Sequence, residues 1–288
     1  MTHVRRAALL LLLVTTIACT NTDQSRTTAT TTSTSTTSTT QAPITTTSTA
    51  LPGPTRVLVV GDSLGTQLGV ALDRASATYD IEVHNDAILG CGIAREQQVR
   101  YGQWATPAYV CTSWPQQWSA ALDEFDPDAV IVFNGFWDAF DIVRDNRVVV
   151  FGTPEWDAYA SAEYAEAMDL LASRGALVIW LQAPYYRAFV EDPAIKAFHD
   201  ANGFYASALD DARVRHLDDL YTTVAKDRPC QVTIVDSRGC LCPGDVYQGA
   251  VDGIQIREER GVHLTDAGSD ELAKYLMPVL RFALAFRC

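Results

Sequence analysis

The sequence predicts a three-layer α/β/α sandwich around a five-stranded parallel sheet. Two observations carry this expectation. From Arg56 onward, continuous apolar runs alternate with amphipathic stretches, and strand–helix alternation is the signature of a doubly wound α/β domain. The runs are apolar throughout rather than at every second residue, as in a sheet covered on both faces. The 288-residue chain has 48% apolar side chains. That length is ample for one sizeable core even without its polar front end. No internal repeat is evident, so a single domain over residues 56–288 is the expectation.

The N-terminus, "MTHVRRAALLLLLVTTIACTNTD", sets Arg5 and Arg6 before a short apolar stretch over 7–18. A bilayer span takes roughly 20 apolar residues, so residues 1–18 read as an export signal. "TIAC" resembles the end of a bacterial lipoprotein signal, which implies lipidation of Cys19. Residues 19–55 are dominated by Thr and Ser, with Pro43, Pro52 and Pro54 and few large apolar groups. Such a segment buries too little surface to offset its chain entropy and reads as a disordered tether. "VLVV" (57–60), "IEVHNDA" (81–87), "AVIVFNG" (129–135) and "ALVIWLQAP" (176–184) are the expected strands, with "VRHLDDL" (214–220) as the fifth. Helical patterns lie over 65–76, 115–125, 156–173 and 193–210. A last helix is capped by Thr265 and expected to kink at Pro278.

The formal charge of −13 excludes nucleic acid as a natural partner, because phosphate neutralisation needs a basic surface. The membrane is expected to matter only through the lipid anchor. Of seven cysteines, Cys91, Cys111, Cys230, Cys240, Cys242 and Cys288 remain after Cys19. An even set in an exported domain favours disulfides, with the pairing open. No histidine stands near "CLC" at zinc-finger spacing, so no metal is expected, and no cofactor.

Ser63 in "RVLVVGDSLGTQLG" ends the first strand where the first helix begins. Free backbone N–H groups and the positive end of the helix dipole gather there, which suits a developing oxyanion. A serine there serves as a helix cap or as a nucleophile, and a nucleophile needs a base from elsewhere in the chain. His84 and His216 fall in strand patterns and His199 in a helical one. His263, in "RGVHLTDAG", stands in a loop just before the last helix, free to reach over the carboxyl edge of the sheet.

These blocks resemble the SGNH (GDSL-type) hydrolase family over roughly residues 56–286. "VVGDSLG" matches the first block and makes Ser63 the nucleophile and first oxyanion donor. "HNDAILGCG" is similar to the second block, which makes Gly90 the second donor, with Gly92 in reserve. "HLTDAG" matches the last, with His263 as general base. "GCGIAR" and "VDGIQIR…GVHLT" resemble the actinobacterial cell-envelope branch. The resemblance implies a flavodoxin-like fold. Two departures stand out. The third block, normally Gly-x-Asn-Asp, reads Gly135-Phe136-Trp137-Asp138, so its asparagine donor is replaced by an indole N–H. Arg260 occupies the position of the histidine-orienting acid, and Glu259 is the nearest substitute.

The resemblance implies an exported serine esterase acting on an O-acyl group, acetyl foremost, of an envelope glycan or small ester. Asp62, Trp137, Asp138 and Tyr185, at strand ends, are the expected pocket residues. An acyltransferase would use the same residues, and a binding scaffold with decayed chemistry fits the two departures. "GDSLG" also satisfies the Gly-x-Ser-x-Gly elbow of α/β-hydrolases, but that fold places several strands before its serine. The glycine spacing does not match a dinucleotide fingerprint.

Overall fold

In the computed structural model, which describes residues 53–100, 103–187, 197 and 209–286, five strands form one parallel sheet. They are β1 (Thr55–Gly61), β2 (Ile81–Asn85), β3 (Ala129–Phe133), β4 (Leu177–Leu181) and β5 (Val232–Val235), in the order β2-β1-β3-β4-β5. Every residue of β3 and β4 is buried, as are Val57–Gly61 of β1, so the central strands are covered on both faces. The strand order reverses between β1 and β3, and a crevice for ligands opens beyond the carboxyl ends at such a point.

The helices Ser63–Arg74 and Asp266–Ala285 pack against each other, while Trp114–Phe125, Pro154–Ala172 and Asp211–Ala225 pack in succession. These two groups are the outer layers of the sandwich. Their starts follow side-chain chemistry. Asp62, Thr153, Asp210 and Thr265 each accept a backbone N–H from the first turn, satisfying donors that a helix cannot satisfy itself. The last helix, capped by Thr265, runs from Asp266 past Pro278 to Ala285.

Several expectations are corrected. Residues 214–220 are helical, not the fifth strand. Val214, Leu217, Tyr221 and Val224 are buried at spacings of three and four residues along Asp211–Ala225, which is helical periodicity. The fifth strand is the short "VTIV" of β5. A second, antiparallel sheet joins Gln97–Arg100, Gln103–Ala105, Ile142–Arg144 and Arg147–Val149. Its last turn places Asp145 and Asn146 at φ 50° and 60°, the left-handed pair that a two-residue hairpin requires. Cys91 and Cys111 form a disulfide and Cys230 is also disulfide-bonded. Cys240 and Cys242 are thiols, packed into the core at 2% and 1% exposure, so the expectation that all six pair fails. Residues 1–18, Cys19, nearly all of the linker, most of the expected helix 193–210 with His199, and Cys288 lie outside the described residues.

Candidate active site

Gly61 ends β1 with φ +128°, and a Cβ there would stand 2.1 Å from the Phe133 carbonyl oxygen. Only glycine lets β1 approach β3 so closely before the chain turns into the helix. Asp62 follows, fully buried, and its Oδ1 accepts the Leu64 N–H at 2.8 Å. Burial first, then the neighbouring Asp138 carboxylate, pushes the Asp62 carboxyl up to about 7, against the stabilising N–H groups of Leu64, Gly135 and Phe136. Ser63 is the first residue of the helix, at the end where N–H groups lack intrahelical partners.

The Ser63 Oγ lies 3.0 Å from His263 Nε2, although the residues stand 200 positions apart. Several contacts hold the imidazole there. Arg257 and Leu264 form an antiparallel bridge, and the Glu258 N–H donates to the His263 carbonyl at 3.0 Å. Arg257, fully buried, donates to the carbonyls of Val262 at 3.1 Å and Tyr185 at 3.2 Å. The Gln67 Nε2 donates to the Leu264 carbonyl at 2.8 Å, and the Leu264 N–H donates to Gln67 Oε1 at 3.1 Å. Gly268 lets the last helix close on this loop, since a Cβ there would meet the Ile256 carbonyl oxygen at 2.2 Å.

The acid beside the imidazole is Glu258, not Glu259. Glu258 Oε2 stands 3.8 Å from His263 Nδ1, an ion-pair distance beyond hydrogen bonding. The antiparallel pairing explains the choice. Glu258 lies opposite His263 and donates its N–H to the His263 carbonyl, whereas Glu259 stands in the turn beyond the pairing. Glu259 lines a polar hollow outside the loop with Gln255, Arg260 and Thr265, a hollow that Glu258 also borders.

Gly90 adopts φ +74° with open space where a Cβ would be, whereas a Cβ on Gly92 would stand 2.5 Å from Asp138 Oδ1. Of the two glycines, Gly90 therefore faces the open side. Its carbonyl accepts from Arg100 Nη1 at 3.3 Å, and the next residue is tied to Cys111. Asn134, next to the altered third block, is fully buried and donates to Asp138 Oδ2 at 2.6 Å. That amide is therefore spent inside the protein.

Three of the four expected pocket residues are corrected. Asp62 is buried as a helix cap. Asp138, at 1% exposure, accepts the Ala94 N–H at 3.0 Å and so holds the second-block loop. Tyr185 is fully buried, its hydroxyl donating to Asp245 at 2.6 Å and accepting from Arg215 at 2.9 Å. None of the three presents a surface to a ligand. Trp137 is partly buried, and the Arg100 guanidinium lies 4.5 Å over its ring. His216 pairs with Asp157 at 2.7 Å on the far helices, and His84 packs on Phe125. No sequence motif gives Gln67 or Arg257 a role, and Glu258 stands upstream of the histidine beside Glu259 with nothing local to choose between them. Gln67 stands one helical turn beyond Ser63, the one signal that could have found it.

Among solved structures, the chain is similar to the lipopolysaccharide acetyltransferase periplasmic domain of Salmonella ser. Paratyphi A, with 12% identity, 80% of this chain and 84% of that chain covered and a TM-score of 0.49. It is also similar to a carbohydrate esterase family 3 protein from Talaromyces cellulolyticus, with 10% identity, 80% and 98% coverage and a TM-score of 0.47. The esterase EstA from Pseudoalteromonas sp. shows 12% identity, 80% and 99% coverage and a TM-score of 0.45. No curated protein sequence matches. A family model does match, over residues 56–279, which takes in the sheet from the second residue of β1 onward and both Ser63 and His263. The chain belongs to the family described as protein of unknown function DUF459.

Proposed function

We propose that this protein is an exported serine esterase that removes an O-acyl group, acetyl foremost, from an envelope glycan or a small ester. The observation that carries the reading is the hydroxyl–imidazole pair at 3.0 Å, built from opposite ends of the domain at the reversal point of the sheet. In this reading His263 Nε2 takes the Ser63 proton as Oγ attacks the ester carbonyl. The N–H groups of Ser63 and Gly90 receive the oxyanion. Collapse expels the alcohol, which takes the proton from His263, and leaves Ser63 acylated. Water, deprotonated by the same imidazole, then attacks the acyl-enzyme and releases the carboxylic acid. Glu258 stabilises the imidazolium in both halves. A sugar hydroxyl in place of water makes the same site an acyltransferase. Trp137 is the one expected pocket residue with partial exposure, and it walls the substrate side. Cys19, lipidated, and the Thr/Ser-rich tether hold the domain at the outer face of the cell membrane.

Fluorophosphonate labelling followed by peptide mass spectrometry tests the reading. Label on Ser63 that disappears in His263→Ala is expected. A folded protein that takes no label overturns it. That outcome would favour a binding scaffold, a second reading that rests on Asn134 being engaged with Asp138 rather than available to an oxyanion.

A further inference from the structure

Gln67 joins the two halves of the candidate active site. It lies on the helix that Ser63 opens, and its amide makes a two-way pair with the backbone of Leu264, the residue after His263. Nε2 donates to the Leu264 carbonyl at 2.8 Å, and Oε1 accepts the Leu264 N–H at 3.1 Å. This is the pairing that a neighbouring strand would supply, provided by one side chain. The same Nε2 lies 3.4 Å from Glu258 Oε1, while Glu258 Oε2 faces His263 Nδ1 at 3.8 Å. A single amide therefore touches the backbone that carries the base and the carboxylate beside it. The carboxylate needs such help. Glu258 is 48% exposed, and a half-exposed glutamate has several rotamers open to it.

From this geometry we infer that Gln67 is a positioning residue, which sets the His263 imidazole against Ser63 and aims Glu258 at its outer nitrogen. The inference rests on the proposed Ser63–His263 chemistry and adds to it a residue that touches neither substrate nor proton. Ser63 and His263 belong to segments far apart in the chain, and Gln67 makes their separation a property of one rigid helix. An amide suits the task because it donates and accepts at once. Methionine preserves length and bulk but offers neither function. Glutamate preserves the acceptor for Leu264 and loses the donor.

The test compares wild type, Gln67→Met and Gln67→Glu for kcat and KM on p-nitrophenyl acetate, with amide hydrogen exchange at Leu264 measured in the same proteins. Both variants are expected to lose roughly tenfold in kcat with KM within about twofold, as a misaimed base slows chemistry without touching binding. Leu264 exchange is expected to accelerate in Gln67→Met and to stay protected in Gln67→Glu, which also covers the case in which Gln67→Met folds poorly. Unchanged kcat with accelerated Leu264 exchange would leave Gln67 a purely structural tie and overturn the inference. Unchanged exchange in Gln67→Met would overturn the contact itself. A wild type that neither turns over the ester nor labels at Ser63 would instead defeat the esterase reading, and Leu264 exchange would still report on the tie.

Discussion

Glu258→Gln isolates the charge that the structure sets beside the imidazole. The carboxylate oxygen lies 3.8 Å from His263 Nδ1, with the two side chains 48% and 39% exposed. Two unit charges at that distance interact by about 1 kcal/mol in water and about 4 kcal/mol at an effective dielectric of about 20. The exposure places this pair toward the watery limit, so about 1–2 kcal/mol is expected, or roughly 5- to 30-fold in rate. In the proposed mechanism the carboxylate acts on the imidazolium that forms as the serine proton moves, so the loss should fall on kcat and leave KM nearly unchanged. Glutamine keeps the size of the side chain, and the backbone N–H that binds the His263 carbonyl is untouched. Initial rates on p-nitrophenyl acetate, measured for Glu258→Gln and Glu259→Gln across ionic strength, check this. The deficit of Glu258→Gln should shrink as salt screens the pair, while Glu259→Gln should match wild type. A larger deficit in Glu259→Gln, or no deficit in Glu258→Gln, would refute the assignment of the acid.

Two stability predictions accompany it. The Asp62 carboxyl is raised to about 7 from 3.8, so the folded state holds a proton that the unfolded state has already released. Its stabilising contribution is complete below the unfolded value and is lost as pH rises to about 7. Asp62→Asn keeps a capping oxygen and stays neutral, so it should unfold like wild type near the lower value and grow more stable above it, toward a ceiling of about 4 kcal/mol. Asp218, raised to about 7 chiefly by burial, is common to both proteins and cancels from the difference. Denaturant melts across pH check the sign. The Cys91–Cys111 disulfide closes a loop of sequence separation 20, so Cys91→Ser with Cys111→Ser should cost about 3 kcal/mol in the same melts.

The parts of the fold readable from sequence were those whose local pattern matched their burial. "VLVV", "AVIVF" and "LVIWL" are apolar at every position because both faces are covered. Ser63 and His263 were legible because each stands at an element boundary, one after a strand and one before a capped helix. The acid and the second sheet share a cause in long-range pairing. Whether Glu258 or Glu259 faces the imidazole depends on where the chain turns after the Arg257–Leu264 bridge, a long-range contact that no local pattern announces. The second sheet is built from strands of three and four residues, too short for a period to declare itself. Residues 214–220 could have been recovered from sequence. Read as far as Val224, their spacing is helical, a period that seven residues alone do not show.

The unequal fate of the cysteines constrains how the chain reaches its native state. Cys91 and Cys111 must meet an oxidant, whereas Cys240 and Cys242 must escape it, sealed as they are beneath the last helix and the buried Arg257. Thiolates exchange with any disulfide they can reach. In an oxidising compartment, the burial of Cys240 and Cys242 would be what keeps these two sulfurs from exchanging with the disulfides of the same chain.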